Sequence, residues 1–154
     1  MKKFILIGVG SIGKRHLDVL KKMKKPTICI DKNNEISKKY SSTEYPHITG
    51  FYKNINQAKV KDLLEKKDYT VIISTLGPTH FLFLEQLSAF GFKNFIIEKP
   101  IVTSISDSYK FKNLVKRKKL TIRVHLAYRY LNIKSEVDKI KKNHQLGSIK
   151  KIIC

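Results

Sequence analysis

Short apolar runs alternate with amphipathic stretches along this chain. Residues 4–7 predict a strand that stops at Gly8. Residues 11–23 predict a helix, with Ile12, His16, Leu20 and Met23 close to one face, closed by Lys25-Pro26. A second strand follows at 27–30, a short helix at 35–40 and a weak strand at 48–52. Residues 55–66 predict a helix buried through Val60, Leu63 and Leu64. Residues 70–74 predict a strand covered on both faces, because no polar alternation interrupts it. Then come an apolar helix at 79–90 ended by Gly91, a strand at 94–97, a helix at 107–118 with Phe111, Leu114 and Val115 inward, and a strand at 120–124.

Strand–helix alternation of this regularity implies a parallel sheet with right-handed crossovers, hence an α/β, doubly wound fold. Residues 1–125 are expected to form that domain. Residues 126–154 predict one more amphipathic helix, at 133–145 with Ile133, Val137 and Ile140 on one face, and a strand from 149 to 154. They read as the truncated start of a second α/β domain.

Composition narrows the class. Hydrophobic residues make up 42% of the chain and charged residues 29%, which suits a soluble domain with a packed core. No apolar run approaches the roughly 20 residues of a membrane span. The opening residues are a first buried strand rather than a signal peptide, and Cys29 and Cys154 offer no disulfide framework, so a cytoplasmic protein is expected. The net charge of +20 raises nucleic-acid binding as a question. Of 32 basic residues, however, only Arg15, Arg117, Arg123 and Arg129 are arginine, and the lysines are spread over every predicted helix. That distribution describes a solvated surface better than a polyanion site, and no specific nucleic-acid partner is expected.

The chemistry concentrates at strand ends. Gly8-Val9-Gly10-Ser11-Ile12-Gly13 joins a predicted strand to a predicted helix. In that setting Gly8 permits the turn, Gly10 lets a pyrophosphate approach the backbone, and Gly13 lets helix and strand pack closely. The helix N-terminus, starting at Ser11 and Ile12, supplies unpaired N–H groups for the anion. Asp31 ends the second strand, where a carboxylate can accept from adenosine ribose hydroxyls and repel a 2′-phosphate. That favours NAD, while the adjacent Lys32 leaves NADP open. Asp31 read locally is a turn or helix cap instead. Ser74-Thr75-Leu76-Gly77-Pro78-Thr79-His80 and Glu98-Lys99-Pro100 follow the fourth and fifth strands, at the carboxyl ends where open parallel sheets bind ligands.

These motifs, in this order and spacing, resemble the Gfo/Idh/MocA oxidoreductases over about residues 3–130. That family shows G-x-G-x-x-G followed by x-x-His, then Thr-Pro-x-x-x-His, then Glu-Lys-Pro; His16, Thr75, His80 and Glu98-Lys99-Pro100 stand at the matching positions, and Leu76 replaces the usual proline. The resemblance implies a Rossmann domain in which Thr75, Leu76 and His80 line the path from adenine to nicotinamide. It also implies that Glu98 approaches the nicotinamide-side ribose and that Lys99 is the catalytic cation near the substrate hydroxyl. An ammonium there stabilises a developing alkoxide. Ser74 falls beside that path. Arg129, followed by Tyr130, resembles the family's Arg-Phe and is a candidate cofactor contact, with a surface or structural role equally open. Alone, His16 on a helix face reads as a packed structural histidine, and His80 divides between that reading and a cofactor contact.

The family's second domain supplies most substrate contacts, including an Asp and a His that cannot be placed on this sequence. His144 lies in the lysine-rich helix and does not qualify. The expected function is therefore the NAD(P)-binding part of an oxidoreductase acting on a sugar-like, nucleotide-sugar or cyclic polyol substrate. The chain is expected to be truncated, to pair with itself or a complementing chain, and to lack activity alone. The rival readings are a non-catalytic dinucleotide-binding or interaction module and, more weakly, a basic nucleic-acid-binding protein. No metal is expected.

Overall fold

The computed structural model describes residues 2–40, 43–60, 63, 66–126 and 132–143. Six strands, β1 (Lys3–Ile7), β2 (Thr27–Ile30), β3 (Ile48–Tyr52), β4 (Tyr69–Ile73), β5 (Asn94–Ile97) and β6 (Thr121–Val124), form one sheet in the order β3-β2-β1-β4-β5-β6. Every neighbouring pair is parallel. The chain builds outward from β1 in one direction and then from β4 in the other. The carboxyl ends of β1 and β4 therefore flank the topological switch point, where such sheets open a crevice. The doubly wound fold expected from the sequence is the fold observed.

Alternation along the central strands divides the core in two. Ile5, Ile7, Val71 and Ile73 pack with Leu84 and Leu87 of α3 (His80–Ala89) and Leu114 of α4 (Ile105–Lys118). Phe4, Leu6 and Ile72 face the other way, onto Leu17 and Leu20 of α1 (Ser11–Lys22). Each such leucine contributes about 1.5–3 kcal/mol by leaving water. Cys29 is fully buried in the second cluster, and burial pushes its thiol pKa up to about 12. Near α1, the hydroxyl of Tyr45 donates to Asp18 Oδ1 at 2.9 Å, tying the segment before β3 to the helix.

Most boundaries fall within two residues of expectation; α2 (Asn34–Lys38) and α5 (Ile133–Asn143) complete the helices. Two readings need correction. The buried face of α1 is Gly13, Leu17 and Leu20, whereas Ile12 and Met23 are exposed. The helix is turned by one residue because Gly13, not Ile12, must meet the strand. Where a helix was expected over 55–66, residues 55–59 form turns instead, and Leu64 lies outside the described residues. Asn54 Oδ1 accepts from the backbone of Gln57 at 2.9 Å and Lys59 adopts a φ of 47°, so local asparagine bonds outcompete the helical ladder. Val60 is nevertheless buried and Leu63 packs on the core, as the pattern required. Among the described residues, no helix is long and apolar enough to cross a membrane. The strand expected at 149–154, with Cys154, lies outside the described residues.

Candidate functional site

Parallel register aligns the chemistry. Ile7 pairs with Ile30 and Ile73, Ile73 with Ile97, and Ile97 with Val124. The next residues, Gly8, Asp31, Ser74, Glu98 and His125, therefore form a row just beyond the strands. Their backbone N–H groups extend the ladders: Gly8 to Ile30 O, Ser74 to Ile7 O, Glu98 to Ile73 O and His125 to Ile97 O, at 2.9–3.0 Å.

The glycine loop is held from three sides. Gly8 has a φ of +85°, a conformation that side chains resist, and Ser74 Oγ donates to its carbonyl oxygen at 2.7 Å. A Cβ on Gly13 would overlap that same carbonyl oxygen. Asp31 Oδ2 accepts from Val9 N at 2.7 Å, and Oδ1 accepts from Asn33 N at 2.9 Å. Gly10 differs: a Cβ there would meet nothing within 4 Å. Gly10 precedes α1, whose first turn carries no acidic side chain and no side-chain cap, leaving its N–H groups for an anion.

A cleft of about 640 Å³ opens beside the loop, lined in part by Gly10, Ser11, Asp31, Lys32, Thr75 and Leu76. Its lining also includes Lys53 and Asn54, at the start of the turns that replaced the expected helix. Leu76 is 77% exposed and Ile12 39%, so both present apolar surface at the cleft. The Thr75 hydroxyl bonds that of Thr79 at 2.7 Å, and Thr79 donates to Leu76 O, bracing the turn.

His80 is fully buried, with Nδ1 2.8 Å from Pro100 O and Nε2 2.9 Å from Thr75 O. It ties the loop after β4 to the loop after β5. Glu98 is 7% exposed, and its Oε1 lies 2.7 Å from both His16 Nε2 and His125 Nδ1. Burial holds the pKa of His16 below its usual value, although the bond to Glu98 opposes that shift. Lys99 is exposed and enters no ion pair among the described residues. Arg129 lies outside the described residues.

Gly8, Gly10, Ser11, Ile12, Asp31, Lys32, Ser74, Thr75 and Leu76 thus share one cleft. Gly13, His80, Glu98 and Lys99 do not line it. Sequence reasoning missed His125 and the turn carrying Lys53. The signal for His125 was available, since it is the first residue after the sixth strand and so belongs to the same row.

A six-stranded parallel sheet with a glycine loop and a cleft at its switch point defines a dinucleotide-binding Rossmann domain. Residues 2–126 match the Gfo/Idh/MocA oxidoreductase family, NAD-binding Rossmann fold, and the chain belongs to that family as an NAD-binding oxidoreductase domain. No curated protein sequence matches it. Among solved structures it is similar to the WlbA (WbpB) dehydrogenase of Thermus thermophilus in complex with NAD and UDP-GlcNAcA, with a TM-score of 0.73 at 20% identity over 90% of this chain and 47% of that one. It is similar also to the Lactobacillus casei scyllo-inositol dehydrogenase with NAD(H) and scyllo-inositol, with a TM-score of 0.73 at 15% identity over 97% of this chain and 43% of that one. The myo-inositol 2-dehydrogenase of Lactobacillus plantarum gives 0.74 at 16% identity, over 96% and 43%. The chain thus spans less than half the length of these three proteins.

Proposed function

We propose that this domain presents NAD for hydride transfer at a hydroxyl-bearing carbon of a sugar-like or cyclic polyol substrate. The observation that carries the reading is Gly10. Neither backbone strain nor packing demands a glycine there, yet its missing side chain clears the uncapped end of α1. A pyrophosphate fits that gap and those N–H groups.

The remaining roles follow from position. Ser11, Ile12 and Gly13 offer the first-turn amides. Asp31, already fixed by Val9 N, uses its remaining lone pairs for the adenosine ribose, with Lys32 beside it. Thr75 and the exposed Leu76 give a base or ring an apolar wall. His80 holds that wall against the Lys99-Pro100 segment. Glu98 accepts from the nicotinamide-side ribose, and Lys99 orients the substrate hydroxyl and stabilises its alkoxide. NAD, when bound, supplies the hydride acceptor. A second protein surface, outside residues 2–126, must press the substrate against the nicotinamide and exclude water. The likeness to inositol and nucleotide-sugar dehydrogenases supports the substrate class. The dispersed lysines serve as a solvated surface that attracts anionic ligands generally.

Titration calorimetry with NAD and NADP tests this function. Binding of NAD by wild type and its loss in Gly10→Val, with folding retained, is expected. Folded wild-type protein that binds neither dinucleotide would refute the reading.

A further inference from the structure

We propose that His16 and His125 are positioning residues that clamp one oxygen of Glu98 and leave the other for a cofactor hydroxyl. This rests on the reading of Glu98 as the nicotinamide-side ribose acceptor.

A carboxylate as buried as Glu98 needs donors. Among the described residues it receives two, and both fall on Oε1: His16 Nε2 and His125 Nδ1, each at 2.7 Å. No lysine or arginine among the described residues pairs with it. The donors come from different elements of the fold. His16 stands in the second turn of α1, one turn beyond the amides of the glycine loop. His125 stands one residue past β6, at the far end of the row. Their rings meet edge to face, with centroids 4.8 Å apart. Glu98 is thereby fixed between the helix that faces the pyrophosphate and the edge of the sheet, with Lys99 next to it in sequence.

The geometry also specifies protons. A carboxylate oxygen only accepts, so each ring must donate through the named nitrogen. His16 carries its proton on Nε2 and His125 on Nδ1. With Oε1 taken by two charge-assisted bonds, Oε2 is the acceptor left for a hydroxyl.

His16, Glu98 and His125 together also have the composition of a metal site, their ligand atoms lying within 4.8 Å of one another. Metal ligands converge on a common point about 2.0–2.2 Å from each. Here both nitrogens converge on the carboxylate oxygen itself, at hydrogen-bond length. Proton donation accounts for that arrangement, and a metal ion does not.

The test has two parts. Ring ¹⁵N chemical shifts of the cofactor-free protein report the tautomers, so they stand apart from NAD binding. Protons on His16 Nε2 and His125 Nδ1 are expected; a proton on Nε2 alone of His125 would overturn the clamp. So would one equivalent of divalent metal retained by the purified protein. The second part measures NAD affinity. His125 is 42% exposed at its side chain, so His125→Ala is expected to stay folded and bind NAD about tenfold more weakly. His125→Asn restores an N–H in the place of Nδ1, and His16→Gln does so for Nε2; both are expected within about twofold of wild type. Equal losses in His125→Ala and His125→Asn, or no loss in either, would overturn positioning. Correct tautomers in a protein that binds no NAD would uphold the clamp and remove its proposed purpose.

Discussion

Ser74 and Gly8 are joined by a hydrogen bond of 2.7 Å from the serine hydroxyl to the glycine carbonyl oxygen. Gly8 sits at a φ of +85°, and a side chain there would meet Ser74 O and the Thr75 methyl, so the turn is built for glycine. Ser74→Ala removes the donor and leaves a partly buried carbonyl less well satisfied. A loss of about 1 kcal/mol in unfolding free energy is expected by chemical denaturation, with a few-fold weaker NAD affinity. Unchanged stability and affinity would show that the loop holds its shape without Ser74.

The two later glycines of the loop should respond oppositely. A side chain at Gly13 meets the Gly8 carbonyl, a backbone atom that cannot step aside, whereas one at Gly10 meets open space. Gly13→Ala is expected to cost about 1–3 kcal/mol of stability through overpacking. Gly10→Ala is expected to change stability by less than about 0.5 kcal/mol while weakening NAD binding. Thermal melts and calorimetry on the same preparations separate the effects. Equal destabilisation by both would remove the argument that Gly10 is kept for a ligand.

Asp31 has a structural duty, and the selective one proposed for it can be tested separately. Its Oδ2 fastens Val9 N and its Oδ1 fastens Asn33 N, and the cleft beside it holds Lys32 and Lys53. With the carboxylate present, a 2′-phosphate meets a negative charge; without it, two lysines remain to receive one. Asp31→Ser is expected to narrow the preference for NAD over NADP by about tenfold or more, at some cost in stability. A wild type that already prefers NADP would overturn the role given to Asp31.

Much of this site was legible because it depends on backbone geometry. Gly8, Asp31, Ser74 and Glu98 each directly follow a strand, and strand ends follow from apolar runs such as Phe4 to Ile7. What was hidden depends on rotation and on local competition. Ile12 and Gly13 differ by one step around α1, and only the close approach of Gly13 to Gly8 decides which faces the core. The 55–59 turns carry helix-like apolar spacing, but Asn54 bonds its own backbone, which periodicity does not register. His125 looked like an ordinary residue after an edge strand until register placed it beside Glu98.

Two histidines should set the acid limit of stability. Burial lowers the pKa of His16, whose bond to Glu98 opposes the shift while nearby His125 reinforces it. Burial likewise lowers the pKa of His47, whose ring nitrogens are buried without a hydrogen-bond partner among the described residues; the nearby Leu17 backbone and Asp18 oppose that shift and Lys21 adds to it. Both groups have a folded pKa below the unfolded value near 6.5. Between the two values the unfolded chain binds more protons, so stability rises with pH in that window. The contribution is present above about pH 6.5 and is lost as pH falls towards the folded values. Melting temperatures at pH 7.5 and 5.5 should therefore differ, with the acidic sample lower. His47→Phe keeps an aromatic ring beside Tyr45, 5.9 Å away in the wild type, and removes both unsatisfied nitrogens. It is expected to raise stability by about 1 kcal/mol at neutral pH and to flatten the acid dependence, leaving the part due to His16. Equal melting temperatures at the two pH values would show that neither ring is held neutral by the fold.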